Sequence, residues 1–216
     1  AVVAVDNTNT IASYSNRCGV AANWCIAAPG DYTFYSSSVS GQGTSYAAPT
    51  VTAAAALIKQ KYEWMNGDLI RQTILSTADD IGASEVDTVY GWGLLNISKA
   101  INGPALFDTR LALGSYVNVN FDDVTSTFSN NISGDAGLIK SGTGTLILSG
   151  TSTYLGKTVI NAGKVVVNGS ILSGVYVGVS GTLSSTGGYI GNDVYNEGGT
   201  LENSGTGLQI SGNYSA

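Results

Sequence analysis

At 216 residues, 43% of them hydrophobic, the chain is long enough for one or two domains with an apolar core, which excludes disorder as its default state. Nine basic residues stand against 15 acidic ones with no Lys/Arg run to neutralise phosphates, so no nucleic acid is expected as a partner. Twenty-nine glycines and three prolines suit a turn-dense β protein, and the longest apolar run, Val51 to Ile58, falls well short of the ~20 residues of a membrane helix.

The chain opens on Ala1-Val2-Val3-Ala4-Val5-Asp6, without an initiator Met, a basic leader or a cleavage signature. It reads as a strand entered mid-domain, hence as a fragment or processed chain. Cys18 and Cys25 are the only cysteines, and their close spacing favours a local disulfide over two buried free thiols. With no histidine in the chain, two cysteines do not close a metal site, and no metal or cofactor is expected.

Ile26 to Ala28 reads as a second short buried strand, followed by a turn at Pro29-Gly30-Asp31. From Pro49 to about Tyr62 an alanine-rich run predicts a helix with proline in its first turn, where the missing N–H costs nothing. Asn66-Gly67-Asp68 introduces a second helix carrying Leu69, Ile70, Ile74 and Leu75 on one face. A third, short helix over roughly Leu95 to Ile101 is stopped by Asn102-Gly103-Pro104.

Near residues 104 to 120 the texture changes to short Gly/Thr/Asn/Val-rich runs. Gly144-Thr145-Leu146, Gly163-Lys164-Val165, Gly181-Thr182-Leu183 and Gly199-Thr200-Leu201 recur at intervals of 19, 18 and 18 residues. Each unit carries a strand such as Thr145 to Leu148 and a second such as Lys157 to Ile160, too little to bury its own apolar side. Stacked units bury it, with each strand pairing in parallel with its counterpart one turn on, which predicts a parallel β-helix. A sequential antiparallel sandwich would also give frequent glycine turns but leaves the period unexplained.

Gly41-Gln42-Gly43-Thr44-Ser45-Tyr46-Ala47-Ala48-Pro49 leads into the alanine-rich helix. A serine there is held on a rigid element, with its own N–H left unpaired by the helix and free to stabilise an oxyanion, while Gly43 admits substrate backbone. Small Ala47 and Ala48 let the helix lie deep in the core. On Gly-Thr-Ser alone, a helix cap is the strongly favoured reading of Ser45.

The stretch resembles the subtilase signature Gly-Thr-Ser-x-Ala-x-Pro. Ahead of it, Ala12-Ser13-Tyr14-Ser15-Asn16 and Ala27-Ala28-Pro29-Gly30 are similar to that family's Ser-x-Ser-Asn and Ala-Pro-Gly segments, and Gly91-Trp92-Gly93-Leu94-Leu95-Asn96 to its closing Gly-x-Gly-x-x-Asn. The resemblance, over about 105 residues, implies an α/β subtilisin-like domain that hydrolyses polypeptide substrates through an acyl-enzyme on Ser45, with Thr44 adding a hydroxyl near the oxyanion. Thr50 stands where the family commonly has a non-catalytic histidine. The family's Asp, His and oxyanion Asn all precede the serine by more residues than are present here, so this stretch alone should be inactive and the N-terminal half of the domain is an implied partner. Asp6 and Asp31 lie after the implied position of the catalytic histidine and are expected to serve turns.

Leu138 to Gly150, followed by Thr153-Tyr154-x-Gly156 and Val159 to Gly163, resembles the passenger-associated repeat of bacterial autotransporters. That resemblance implies export across the outer membrane of a Gram-negative cell by a C-terminal β-barrel outside this chain, to the cell surface or beyond. The expected layout is the C-terminal part of a subtilisin-like domain over 1–106, a linker or first coil over 107–134, and a right-handed parallel β-helix of passenger repeats over 135–216. A competing expectation is a non-catalytic adhesin with a degenerate protease-like cap. A calcium- or glycan-binding solenoid is disfavoured, because Asp135 and Asp193 lack the calcium-repeat pattern.

Overall fold

A computed structural model of the chain describes residues 1–34 and 39–216. They form two compact units, one built from Ala1–Lys61 and Ile70–Ile101, the other from Tyr62–Leu69 and Asn102–Ala216.

In the first unit, β1 (Val2–Val5) and β2 (Ile26–Pro29) pair in parallel, Val2 opposite Ile26 and Val5 opposite Pro29. Residues 93–95 continue the sheet beyond β2: the Ala27 N–H donates to Gly93 O and the Leu95 N–H to Ala27 O, both at 2.8 Å. The period-two alternation of strands sends Val3, Val5 and Ala27 to one side, among Cys18 and Cys25, and Ala4 and Ala28 to the other, against Ala12 and Ala47. Both faces are therefore buried, which explains why these strands read as unbroken apolar runs.

An antiparallel hairpin of β3 (Asp31–Phe34) and β4 (Val39–Gln42) follows, with Asp31 opposite Gln42. The turn expected at residues 29–31 is thus the entry to a strand pair that short polar runs did not announce. α1 spans Thr44–Lys61, five residues earlier than the proline implied. Gly43 starts it instead, its carbonyl accepting from the Tyr46 and Ala47 N–H groups at 3.0 and 3.4 Å, so Pro49 lies inside the helix and cannot donate to the Ser45 carbonyl four residues back. Ala47, Ala54 and Ile58 form the buried stripe, whereas Ala48, expected in the core, is exposed because it lies one position off that stripe.

α2 (Gly67–Ser76) opens with the Leu69 N–H donating to Asn66 Oδ1 at 2.8 Å, and α3 (Ile97–Ala100) with the Lys99 N–H donating to Asn96 Oδ1 at 2.8 Å. Among the described residues no helix is long and apolar enough to cross a membrane.

The second unit begins with one short helix, α4 (Thr109–Ala112), and continues as strands. These are β5 (Tyr116–Asn120), β6 (Thr125–Phe128), β7 (Gly137–Ser141), β8 (Thr145–Leu148), β9 (Thr151–Ser152) and β10 (Thr158–Val167). Then come β11 (Ser170–Ile171), β12 (Val175–Ser185), β13 (Tyr189–Ile190), β14 (Val194–Asn196), β15 (Thr200–Asn203), β16 (Gln209–Ile210) and β17 (Tyr214–Ser215).

All pairings in this unit are parallel, giving a β-helix of about five turns. One ladder aligns Thr125, Thr145, Lys164, Thr182 and Thr200, which reproduces the 19, 18 and 18 residue spacing of the last four repeats. A second aligns Leu138, Thr158, Val175 and Val194, and a third aligns Ser152, Ile171, Ile190 and Ile210. β10 serves the first two ladders by bending between Ile160 and Ala162, where its register against β12 shifts. Inward residues stack like on like: Leu146, Val165 and Leu183 are fully buried, as are Ile171 and Ile190.

The first coils are closed by aromatics from the 62–69 segment. Trp64 stacks on Phe121 at 4.3 Å and its Nε1 donates to Ser126 Oγ at 3.0 Å, while Tyr62 packs edge-on to Phe128 and its hydroxyl donates to Thr127 O at 2.9 Å. A solenoid exposes an apolar cross-section at each end, and this cluster covers it. Lys140, inward-facing and buried, lies 4.5 Å over the Phe121 ring and donates to Ser141 O and Gly142 O. Burial lowers its pKa to about 8, with Asp122 opposing.

Candidate active site

Thr44 and Ser45 are the first two residues of α1, where a helix leaves its N–H groups unpaired. Ser45 is exposed, Thr44 and Gly43 are half-buried, and Ser45 Oγ makes no hydrogen bond among the described residues. Gly43 has φ +154°, and a Cβ there would lie 3.3 Å from Ser45 Oγ, so glycine keeps the approach to the hydroxyl clear.

What holds this turn is the base of the β3–β4 hairpin. The Gly43 N–H donates to Gly30 O at 3.0 Å, directly joining the Ala-Pro-Gly segment to the Gly-Thr-Ser segment. Gly30 has no room for a side chain: its Cβ would meet Ala4 Cβ at 2.5 Å, Tyr14 Oη at 2.8 Å and Gly43 O at 3.2 Å. The Ser-x-Ser-Asn segment is anchored to β1, since Ser15 Oγ accepts from the Ala4 N–H at 2.9 Å and donates to Asn16 O at 2.8 Å. Between its two serines, Tyr14 donates from Oη to Asp31 Oδ1 at 2.5 Å. Partial burial and the Asp31 carboxylate push the Tyr14 pKa up to about 12.

Thr50 is hydrogen-bonded through Oγ1 to the Tyr32 hydroxyl and donates to Tyr46 O at 3.2 Å, tying the second turn of α1 to β3. Tyr46 closes over Gly41, where a Cβ would sit 2.5 Å from its ring. Tyr14, Tyr32 and Asp31 were not read as parts of this site. The signal for Tyr14 lay in the variable position of a segment whose fixed positions had been used.

Asp6 serves a turn, accepting from the Thr8 hydroxyl and from the N–H groups of Thr8 and Thr10, bonds that lower its pKa. Asp31 lies instead at a strand start. Cys18 and Cys25 are disulfide-bonded with Cα atoms 5.8 Å apart, in the cluster of Val3, Val5 and Ala27, whereas Ala47 beside Ser45 belongs to the cluster on the opposite face of the sheet. The bridge braces the unit and does not touch the serine turn.

Residues 1–93 match the subtilase family, and residues 138–167 match the passenger-associated-transport-repeat. Together these matches make residues 1–93 subtilase-like and residues 138–167 similar to an autotransporter passenger repeat. It is 42% identical over 189 residues to the autotransporter lipoprotein NalP of Neisseria meningitidis, with 85% of this chain and 17% of the relative covered. It is 38% identical over 178 residues to serotype-specific antigen 1 of Mannheimia haemolytica (77% of this chain, 18% of the relative). It is 32% identical over 243 residues to an extracellular serine protease of Serratia marcescens (86% and 23%). The chain thus spans less than a quarter of the length of these relatives. Its place is outside the cell or at its surface, reached through the outer membrane.

In this family context the other shared segments acquire physical roles. Gly91 presses on Cys25, just ahead of β2, where a Cβ would lie 2.2 Å from Cys25 O. Asn96 ends the closing motif as the cap of α3 while its Nδ2 donates to Asp79 at 2.9 and 3.1 Å.

Proposed function

We propose that Ser45 is the nucleophile of a serine endopeptidase whose catalytic domain this chain completes from the C-terminal side. The observation that carries the reading is the exposed Ser45 hydroxyl on the first turn of α1, beside a glycine that keeps its approach open and is bonded to Gly30. Ser45 Oγ would attack the scissile carbonyl carbon. Its proton would pass to a histidine base supplied by upstream sequence and then to the leaving amine, and water would release the resulting acyl group. The Ser45 N–H faces the developing oxyanion, and the Thr44 hydroxyl adds a second donor there. Gly43 lets the substrate backbone lie alongside.

The missing half of the domain, carrying the Asp, His and oxyanion Asn, is the first partner this reading requires, and polypeptide substrates are the second. A C-terminal translocator barrel exports the whole, and the β-helix holds the peptidase away from the membrane. Its coil-by-coil construction suits emergence as an extended chain, because each coil needs only its neighbour.

The test is hydrolysis of unstructured polypeptide by the full-length protein and by its Ser45→Ala variant. Cleavage abolished in the variant is expected, while a wild type that binds surfaces yet never cleaves would make the protein an adhesin with a protease-like cap. The isolated 216-residue chain should show no amidase activity above its own Ser45→Ala control.

A further inference from the structure

A nucleophile needs to be placed within a fraction of an ångström, and misplacement of about 1 Å costs on the order of 100-fold in rate. α1 fixes Ser45 from below through Ala47, but the turn that delivers the chain into α1 hangs on the base of the β3–β4 hairpin. Gln42, the last residue of that hairpin, stands opposite Asp31, and only Gly43 and Thr44 separate it from Ser45. From outside the hairpin, Tyr46 and Thr50 of α1 meet Gly41 and Tyr32, while Tyr14 grips the base at Asp31 from the side of β1.

We propose that Tyr14 and Asp31 form a positioning pair for Ser45, in which the Tyr14 hydroxyl locks the hairpin base against β1. The inference rests on the reading of Ser45 as a nucleophile. Tyr14 sits on an anchored support: the Ala12 N–H donates to Ala4 O at 3.0 Å and Ser15 Oγ accepts from the Ala4 N–H, so the loop on both sides of Tyr14 is fixed to the middle of β1. From there Oη reaches Asp31 at 2.5 Å, and the space a Gly30 side chain would need is shared by that same hydroxyl and by Gly43 O. Gly43 O in turn accepts the first two N–H bonds of α1. The path from β1 to the serine is therefore a short series of direct contacts, Ala4 to Ser15, Tyr14 to Asp31, Gly30 to Gly43, ending one residue from Thr44.

Tyr14 as a residue is 40% exposed, so removing its hydroxyl empties little buried space. Loss of the lock should consequently appear in rate and not in stability. Neither residue touches the reacting atoms.

The experiment uses the full-length protein with Tyr14→Phe, Asp31→Ala, the double variant and Asp31→Asn, whose amide oxygen still accepts from the tyrosine. Fluorophosphonate labelling rate, kcat and KM on a peptide substrate, and the thermal midpoint are measured for each. Tyr14→Phe and Asp31→Ala should each slow labelling and lower kcat by about 10-fold with KM and midpoint unchanged. The double variant should be no slower than either single, and Asp31→Asn should recover most of the rate. A Tyr14→Phe protein that labels at the wild-type rate, a loss matched by a fall in midpoint, or additive losses would each overturn the pair while leaving Ser45 as the nucleophile. A wild type that never labels removes the peptidase reading and the pair together.

Discussion

In the α/β unit Gly91 presses on a carbonyl 66 positions earlier, that of Cys25, and Gly93 on one 14 positions earlier, that of Asp79, two contacts of different span. In the solenoid Gly163, Gly181 and Gly199 each press on carbonyls roughly one coil back, those of Gly142, Ile160 and Gly178, in a contact made over and over. Both kinds of close approach exclude a side chain equally well, yet they divide the molecule by how its order is specified. The first unit is a set of single fits that must all be made together. The second is one fit iterated, so its coils depend chiefly on their neighbours. The 62–69 segment crosses that division, lying between residues of the first unit in sequence and closing the second.

The largest effect that would sharpen the contrast is at this closure. Trp64→Ala removes the stack on Phe121 and leaves Ser126 Oγ without its donor, and should destabilise the second unit by about 3 kcal/mol. Hydrogen exchange should show lost protection concentrated in β5 to β8 and fading along later coils; uniform loss to β17 would mean the solenoid unfolds as one block. Gly91→Ala forces a Cβ to within 2.2 Å of Cys25 O and should cost the first unit about 3 kcal/mol, read as a drop in its denaturant midpoint. A nearly neutral Gly91→Ala would show that the single fits are softer than described.

Replacing Cys18 and Cys25 by serine opens a loop whose ends are 7 positions apart and should lower the first unit's stability by about 2 kcal/mol, leaving the solenoid's melting unchanged. The smallest effect is electrostatic. The folded-state pKa of Lys140, about 8, lies below its ordinary 10.5, so between these values the unfolded chain holds the extra proton. The solenoid should gain stability as pH rises through that window, and Lys140→Met should flatten the gain. An unchanged slope in the variant would place the titrating group elsewhere.

The same division explains what could be read in advance. The solenoid was legible because its glycine spacing is its pairing register: Thr145, Lys164, Thr182 and Thr200 share one ladder. The bend of β10 was not, since two strands expected separately form one element across a corner. In the first unit, strands β1 and β2 were legible from apolar runs, but the start of α1 was misplaced because Pro49 imitates a first-turn proline while Gly43 does the capping. The β3–β4 hairpin lacks apolar alternation, and the closure of the first coils joins Trp64 to residues about 60 positions away. At the candidate site the serine itself was visible in its motif. Its support by Tyr14, Asp31 and Gly30 depends on three segments meeting, which no local pattern contains.

Where a serine-specific phosphonate bonds in the full-length protein decides most directly whether Ser45 is the nucleophile. After fluorophosphonate treatment and digestion, mass spectrometry should find a single adduct on the peptide carrying Gly43-Thr44-Ser45, absent in Ser45→Ala. An adduct on another serine that persists in Ser45→Ala, or no adduct in an active wild type, would contradict it.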